Sequence, residues 1–256
     1  MRPFASFVAI DWSGAKGKRH KGIAIAEARG DAAPRLVRAG HVLSREEVLR
    51  WLLRRAAKEP TLFGFDFSFA PPIIERGEYF PGEPDIPKTA RALWAYVDAH
   101  CDDADLGAAS FLEQVHRPHF YFGIADGVKA QFMHFRQCDA RLNAQGGRKT
   151  ASAYDAIGAA QVAKASFSGM RLLHRLLLSP LQDLLRVRTA VVRQLGDDRL
   201  GLLAPVQHVN GSVDPGLHCD LLLGRVVCVV DLRPLRVRSI DDGVVVLGSA
   251  HPTRLL

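Results

Sequence analysis

Two aspartates, Asp11 in the run FVAIDWSGA and Asp66 in TLFGFDFSFAPP, each interrupt an apolar stretch with the character of a β-strand. Carboxylates hold hard divalent cations through oxygen. Two of them on neighbouring strands form the kind of Mg²⁺ or Mn²⁺ site that serves phosphodiester hydrolysis, where the ion stabilises the attacking and leaving oxygens. Flanked by Phe7, Val8, Ile10 and Trp12, or by Phe63, Phe65, Phe67 and Phe69, either carboxylate would lose water on folding unless a cation or hydrogen-bond donors replaced it. Asp11 and Asp66 are therefore the candidate catalytic residues and metal ligands. The plainer alternative sets each at the exposed end of its strand, capping a turn through Ser13-Gly14 or Ser68. The densest basic cluster, Lys16, Lys18, Arg19, His20 and Lys21, follows Asp11 directly. As part of a site it would hold a phosphate backbone, with Ser13, Lys16 and Lys18 as substrate-binding residues; as a hairpin tip it would be solvated.

Other groupings carry weaker signals. His116 and His119 in HRPHFYF are a candidate metal pair, but Pro118 argues against a helix presenting both on one face, and no thiolate or carboxylate pattern joins them. They are expected to be structural or surface histidines. His218, Cys219 and Asp220 are consecutive, so on any regular element they point in different directions. The run GGRKT at 146–150 lacks phosphate-loop spacing and reads as a basic loop. Asp155, expected as an acid at a helix N-terminus, and Glu75 have no spacing that ties them to Asp11 and Asp66.

The elements that must position the two acids follow from periodicity. Residues 4–12, 22–28 and 35–43 read as three strands, the first two joined by the Gly- and Lys-rich turn SGAKGKRHKG. Ser44 with Glu47 three residues on is a capping-box arrangement that opens a helix over REEVLRWLLRRAAKE. Residues 61–69 are too apolar for a half-solvated strand, which predicts an interior strand covered on both sides. Helices are expected over 88–100 and 151–178, with a short one in ASFLEQVHR and a strand and turn in PHFYFGIADG.

At 256 residues and 48% apolar content the chain suits a sizeable core. No apolar run is long enough to cross a bilayer, and MRPFASFVAIDWSG has no charged-then-apolar leader, so the expectation is a cytoplasmic protein with no membrane association. Four cysteines without a CxxC pair point to reduced thiols. The net charge of +7 permits a nucleic-acid partner without demanding one. Composition changes late in the chain: all 20 aromatic residues lie at or before Phe167, the last Lys is Lys164 and the last Glu is Glu113. Residues 179–256 are thus an atypical C-terminal segment after a domain spanning 1–178. Either it is strand-rich or poorly ordered, or it is the product of a shifted reading frame.

The order strand, strand, strand, helix, strand, with Asp11 on the first strand and Asp66 on the fourth, resembles the ribonuclease H-like superfold, an α/β architecture with a mixed central sheet flanked by helices. The segments AIDWSGA, GFDFSFAPP, TARALWAYVDAHC, LGAASFLE, HFYFG and DAIGAAQVAKASFSGMRLLHRL together resemble bacterial proteins of the predicted-nuclease family known as domain of unknown function 429, over about residues 5–178. The resemblance implies a metal-dependent nuclease, with Asp11 and Asp66 at the family's first and fourth strand positions. It also implies a later strand bearing Glu and a late helix rich in Asp, His and Ala. This chain departs there: residues 179–256 contain no Glu, and Asp197-Asp198 and Asp241-Asp242 lack helical surroundings. Two alternatives stand beside it. DWSGAKGK is also similar to the first phosphate-contacting hairpin of actin-like sugar kinases and ATPases. A catalytically degenerate domain that binds nucleic acid or a protein partner is the other.

Overall fold

The computed structural model describes residues 4–30, 32–146, 150–158 and 162–178, and beyond them the backbone of four strands. The centre is a mixed sheet whose first four strands run in the order β3-β2-β1-β4. Strand β1 (Ser6–Asp11) pairs antiparallel with β2 (Ala24–Arg29), which pairs antiparallel with the two-residue β3 (Arg35–Leu36). On its other side β1 pairs parallel with β4 (Thr61–Phe65), in a register running from Ser6 opposite Thr61 to Ile10 opposite Phe65. A parallel pair needs a crossover, and α1 (Arg45–Ala56) supplies it. All five residues of β4 are buried, as an apolar run without alternation predicts for an interior strand. Further strands are β5 (Leu185–Leu195), β6 (Arg199–Leu202), β7 (Asp220–Leu222) and β8 (Arg225–Pro234), with β8 antiparallel to β4.

Strand β1 alternates in the strict sense. Ser6, Val8 and Ile10 are buried while Phe7 is half-buried and Ala9 and Asp11 are exposed, so one face meets the core and the other is open. The buried face carries Val8, Ile10, Phe63 and Phe65 against α1, α2 (Ala90–Ala99) and α4 (Val162–Leu178). Helix α1 starts where the sequence signals: Ser44 Oγ accepts the Glu47 N–H and the Glu47 carboxylate accepts the Ser44 N–H. A further helix, α3 (Gln137–Ala144), carried no clear signal in its low amphipathicity and is opened by the buried Arg136–Asp139 ion pair.

Several expectations are corrected. The third strand ends at Leu36 rather than continuing to 43, because Arg38 and Gly40 take left-handed backbone angles in a turn that closes with His41 N–H on the Arg38 carbonyl. The helix expected from residue 151 begins at Val162; residues 151–158 form turns, with Gly158 at φ +91°. Asp155 is therefore not a helix N-terminal acid. The short helix expected in ASFLEQVHR is present over 109–115, its last five residues, Phe111–Val115, of π type, while HRPHFYF contains the 3₁₀ turn Arg117–His119. GGRKT and the pairs Asp197-Asp198 and Asp241-Asp242 lie wholly or largely outside the described residues, as do the side chains of His218, Cys219 and Asp220. Among the described residues no helix is long and apolar enough to cross a membrane.

Candidate functional site

Asp11 and Asp66 follow the last paired residues of β1 and β4, Ile10 and Phe65, so continuing the parallel register sets them side by side. The Asp66 side chain takes the position of the next rung: its Oδ1 accepts the backbone N–H of Trp12 at 2.8 Å, which holds the carboxylate against the Asp11–Trp12 peptide. Asp11 itself remains exposed and Asp66 is half-buried. The desolvation expected for Asp11 does not occur, because alternation directs its apolar neighbours Val8, Ile10 and Trp12 to the opposite, buried face.

Helix α4 clamps both strand ends. Its buried Ser168 accepts the Trp12 indole N–H at 2.8 Å, and its buried Ser166 accepts the Ser68 backbone N–H at 3.1 Å. The approach is close enough to exclude side chains at two points. A Cβ on Gly14 would stand 2.2 Å from the α4 backbone at Lys164 and Ala165, and a Cβ on Gly169 would stand 2.5 Å from the Phe67 ring. Gly14 thus serves helix packing, a use independent of phosphate contact.

The loop after Asp11 is tied down from inside the protein. Arg45, the first residue of α1, is fully buried and donates from Nε to the Ser13 carbonyl at 2.9 Å and from Nη2 to the Ala15 carbonyl at 2.6 Å. Its counter-charge is Asp105, whose carboxylate also accepts the Arg45 and Glu46 backbone N–H groups at 3.0 Å each, capping α1, and meets His20 Nε2 at 3.1 Å. Burial lowers the Arg45 guanidinium to about 10, against the pull of Asp105. Burial, then Arg45, holds His20 below its ordinary value despite Asp105. Ser13 is half-buried, its hydroxyl accepting the Ala15 N–H at 3.3 Å. Lys16 is exposed and paired with Glu113 at 2.8 Å, while Lys18 is exposed on the same loop.

As a ligand set, one exposed and one half-buried carboxylate at the ends of two adjacent strands fit a Mg²⁺ or Mn²⁺ that would keep waters or take phosphate oxygens at its other positions. Among the described residues, no third Asp, Glu, His or Cys ligand atom joins this pair within 4.8 Å. Glu75 is exposed in the loop after β4, and Asp155 pairs with Lys129 at 2.7 Å. A cleft of about 280 Å³ between β2 and the 36–43 turn, lined by Lys21, Ile25, Arg38 and His41 among others, includes neither aspartate.

The sequence offers His116 and His119 as a metal pair but not the third member of their cluster, Glu83. The carboxylate of Glu83, in the loop after β4, lies 2.6 Å from His116 Nδ1 and 2.6 Å from His119 Nε2. Pro118 does not separate the two imidazoles. It lies within a 3₁₀ turn, whose three-residue repeat eclipses positions i and i+3, so His116 and His119 fall on one side. Histidines three apart were the available signal; Glu83, 33 residues before His116, was not locally readable. Burial lowers the His116 imidazole from its ordinary value, opposed by Glu83 and aided by His119 and His100.

Comparison with family models, with curated proteins and with solved structures gives no match.

Proposed function

We propose that this chain is a ribonuclease H-like, divalent-metal-dependent nuclease, with Asp11 and Asp66 as the residues that hold Mg²⁺ or Mn²⁺. The observation that carries the reading is the Trp12 N–H bond to Asp66 Oδ1, which draws two acids 55 positions apart in sequence to adjacent ends of two parallel strands. The strand order β3-β2-β1-β4, with β4 parallel to β1 and β2 and β3 antiparallel, supports the ribonuclease H-like assignment. The bound ion would supply positive charge to phosphate oxygens as charge develops at phosphorus.

The chain's own residues do the rest. The open face of β1 at Ala9 and Asp11 leaves room for a polymeric substrate, which a closed pocket would exclude. Lys18 offers an exposed positive charge to a phosphodiester, and Lys16 offers a second that Glu113 partly neutralises. Arg45 fixes the carbonyls of Ser13 and Ala15, so this basic loop keeps its place relative to Asp11.

The test is cleavage of end-labelled single-stranded and duplex DNA, RNA and hybrid oligonucleotides with Mg²⁺ or Mn²⁺. Asp11→Asn and Asp66→Asn should each lower the rate about 100-fold or more, the scale of losing a few kcal/mol of transition-state stabilisation. In Asp66→Asn the new amide oxygen can still accept the Trp12 N–H, so the fold is kept. Metal-dependent cleavage that is unchanged in both variants refutes the assignment, as does nucleic-acid binding without cleavage that survives both substitutions.

A further inference from the structure

We propose that Glu83, His116 and His119 form a Zn²⁺ site, separate from the Asp11–Asp66 pair. The donor set is two imidazole nitrogens and a carboxylate oxygen, whose ligand atoms all lie within 4.8 Å of one another. Such a set matches borderline first-row divalent ions, and three protein ligands leave a fourth position for water. Mg²⁺, which prefers oxygen, is a poor fit.

The second observation is an unsatisfied atom. His116 has a side chain only 1% exposed, and its Nδ1 has no hydrogen-bond partner although Glu83 Oε2 is 2.6 Å away. Leaving a buried ring nitrogen so placed is costly, and an ion between the two atoms relieves it. Ligand atoms around a tetrahedral ion at 2.0–2.1 Å lie about 3.4 Å apart, so the 2.6 Å contact made by the ligating Glu83 oxygen lengthens by about 0.8 Å on binding. Glu83 can give that distance, since its side chain is 28% exposed on a loop.

The surroundings are those of a ligating histidine. His116 Nε2 lies 3.1 Å from the Tyr96 hydroxyl, which can accept from an Nε2–H and in that tautomer leaves the Nδ1 lone pair for an ion. The ring is stacked on Phe80, with centroids 4.3 Å apart and planes 8° from parallel, and packs against Phe111 at 4.5 Å. His116 is therefore rigid and buried, while Glu83 and His119 line the solvent side. An ion here clasps the loop after β4 to the turn at 111–119.

Zn²⁺ binding to the full chain is measured by competition with a chromophoric chelator, with Co²⁺ as the spectroscopic probe. One equivalent should bind in the presence of excess Mg²⁺, and Co²⁺ should show the strong visible bands of a four-coordinate site. Tyr96→Phe should weaken Zn²⁺ about 10–100-fold, the scale of losing an outer hydrogen-bond partner, and His119→Ala and Glu83→Gln by more. Both ligand substitutions lie on the solvent side, so the fold survives them. Asp11→Asn should leave Zn²⁺ affinity unchanged, which separates this site from the nuclease reading. Zn²⁺ affinity unaltered by His119→Ala and Glu83→Gln, or no binding at micromolar Zn²⁺, overturns the proposal.

Discussion

Replacing Asp105 by Asn tests the buried hub that positions the loop after Asp11. The carboxylate has four neighbours: the Arg45 and Glu46 N–H groups at 3.0 Å, His20 Nε2 at 3.1 Å, and Arg45 Nη1 at 3.8 Å. Asn is nearly the same size, so no cavity is created. It does remove the counter-charge from a guanidinium that is fully buried. It also replaces one acceptor with an NH₂ that must face a donor, the Glu46 N–H in place of Oδ1 or the Arg45 N–H in place of Oδ2. Removing one partner of a buried ion pair costs about 3–5 kcal/mol, and the misdirected NH₂ leaves buried donors unsatisfied at about 1–3 kcal/mol. The two overlap, since both describe donors around one carboxylate, so the expected loss is about 3–5 kcal/mol. That is a large share of the roughly 5–15 kcal/mol that holds a typical domain folded. Equilibrium urea unfolding measures it through the midpoint at constant slope. A shift equivalent to less than about 1 kcal/mol would show that Arg45 finds other compensation, and the account of the loop would fail.

Two further outcomes follow from the packing and the cap. Gly169→Ala should destabilise by about 1–2 kcal/mol in the same unfolding assay, because overpacking against Phe67 outweighs the roughly 1 kcal/mol that Ala gains in a helix; a stabilised variant would contradict the 2.5 Å approach. Glu47 is held at about 2, below its usual 4.5, first by the Ser44 N–H and then by His41 and Arg19. Its folded value is depressed, so its stabilising contribution is complete above pH 4.5 and is lost as pH falls through about 2. The melting temperature of wild type should therefore exceed that of Glu47→Gln at neutral pH and converge with it in that acid range; a constant gap would exclude the charge as the cause.

What could be read directly from residues was local. The Ser44–Glu47 box marked the start of α1 because its reciprocal bonds span three residues. The apolar run at 61–69 marked an interior strand, which ends at Phe65, four residues early, and the plainer of the two readings of Asp11 and Asp66, residues at strand ends, matches their place in β1 and after β4. Even there, alternation around Asp11 was misread as burial of the acid itself, when it buries only the neighbours. The third strand was overextended because the left-handed turn falls on Arg38, a residue type that does not announce such a conformation.

Tertiary structure alone decided the rest, because it concerns polar groups from loops that share no local period. That Asp105 caps α1 from 60 positions away depends on where the chain returns, as does the clamp of Ser166 and Ser168 on the ends of β1 and β4. Glu83 meets two histidines only because a 3₁₀ turn eclipses them toward its loop. Hydrophobic pattern and capping act over one turn or one strand, so a chain displays them openly. The partner of a buried charge or a ring nitrogen is chosen by long-range packing, and it becomes visible only when the fold is assembled.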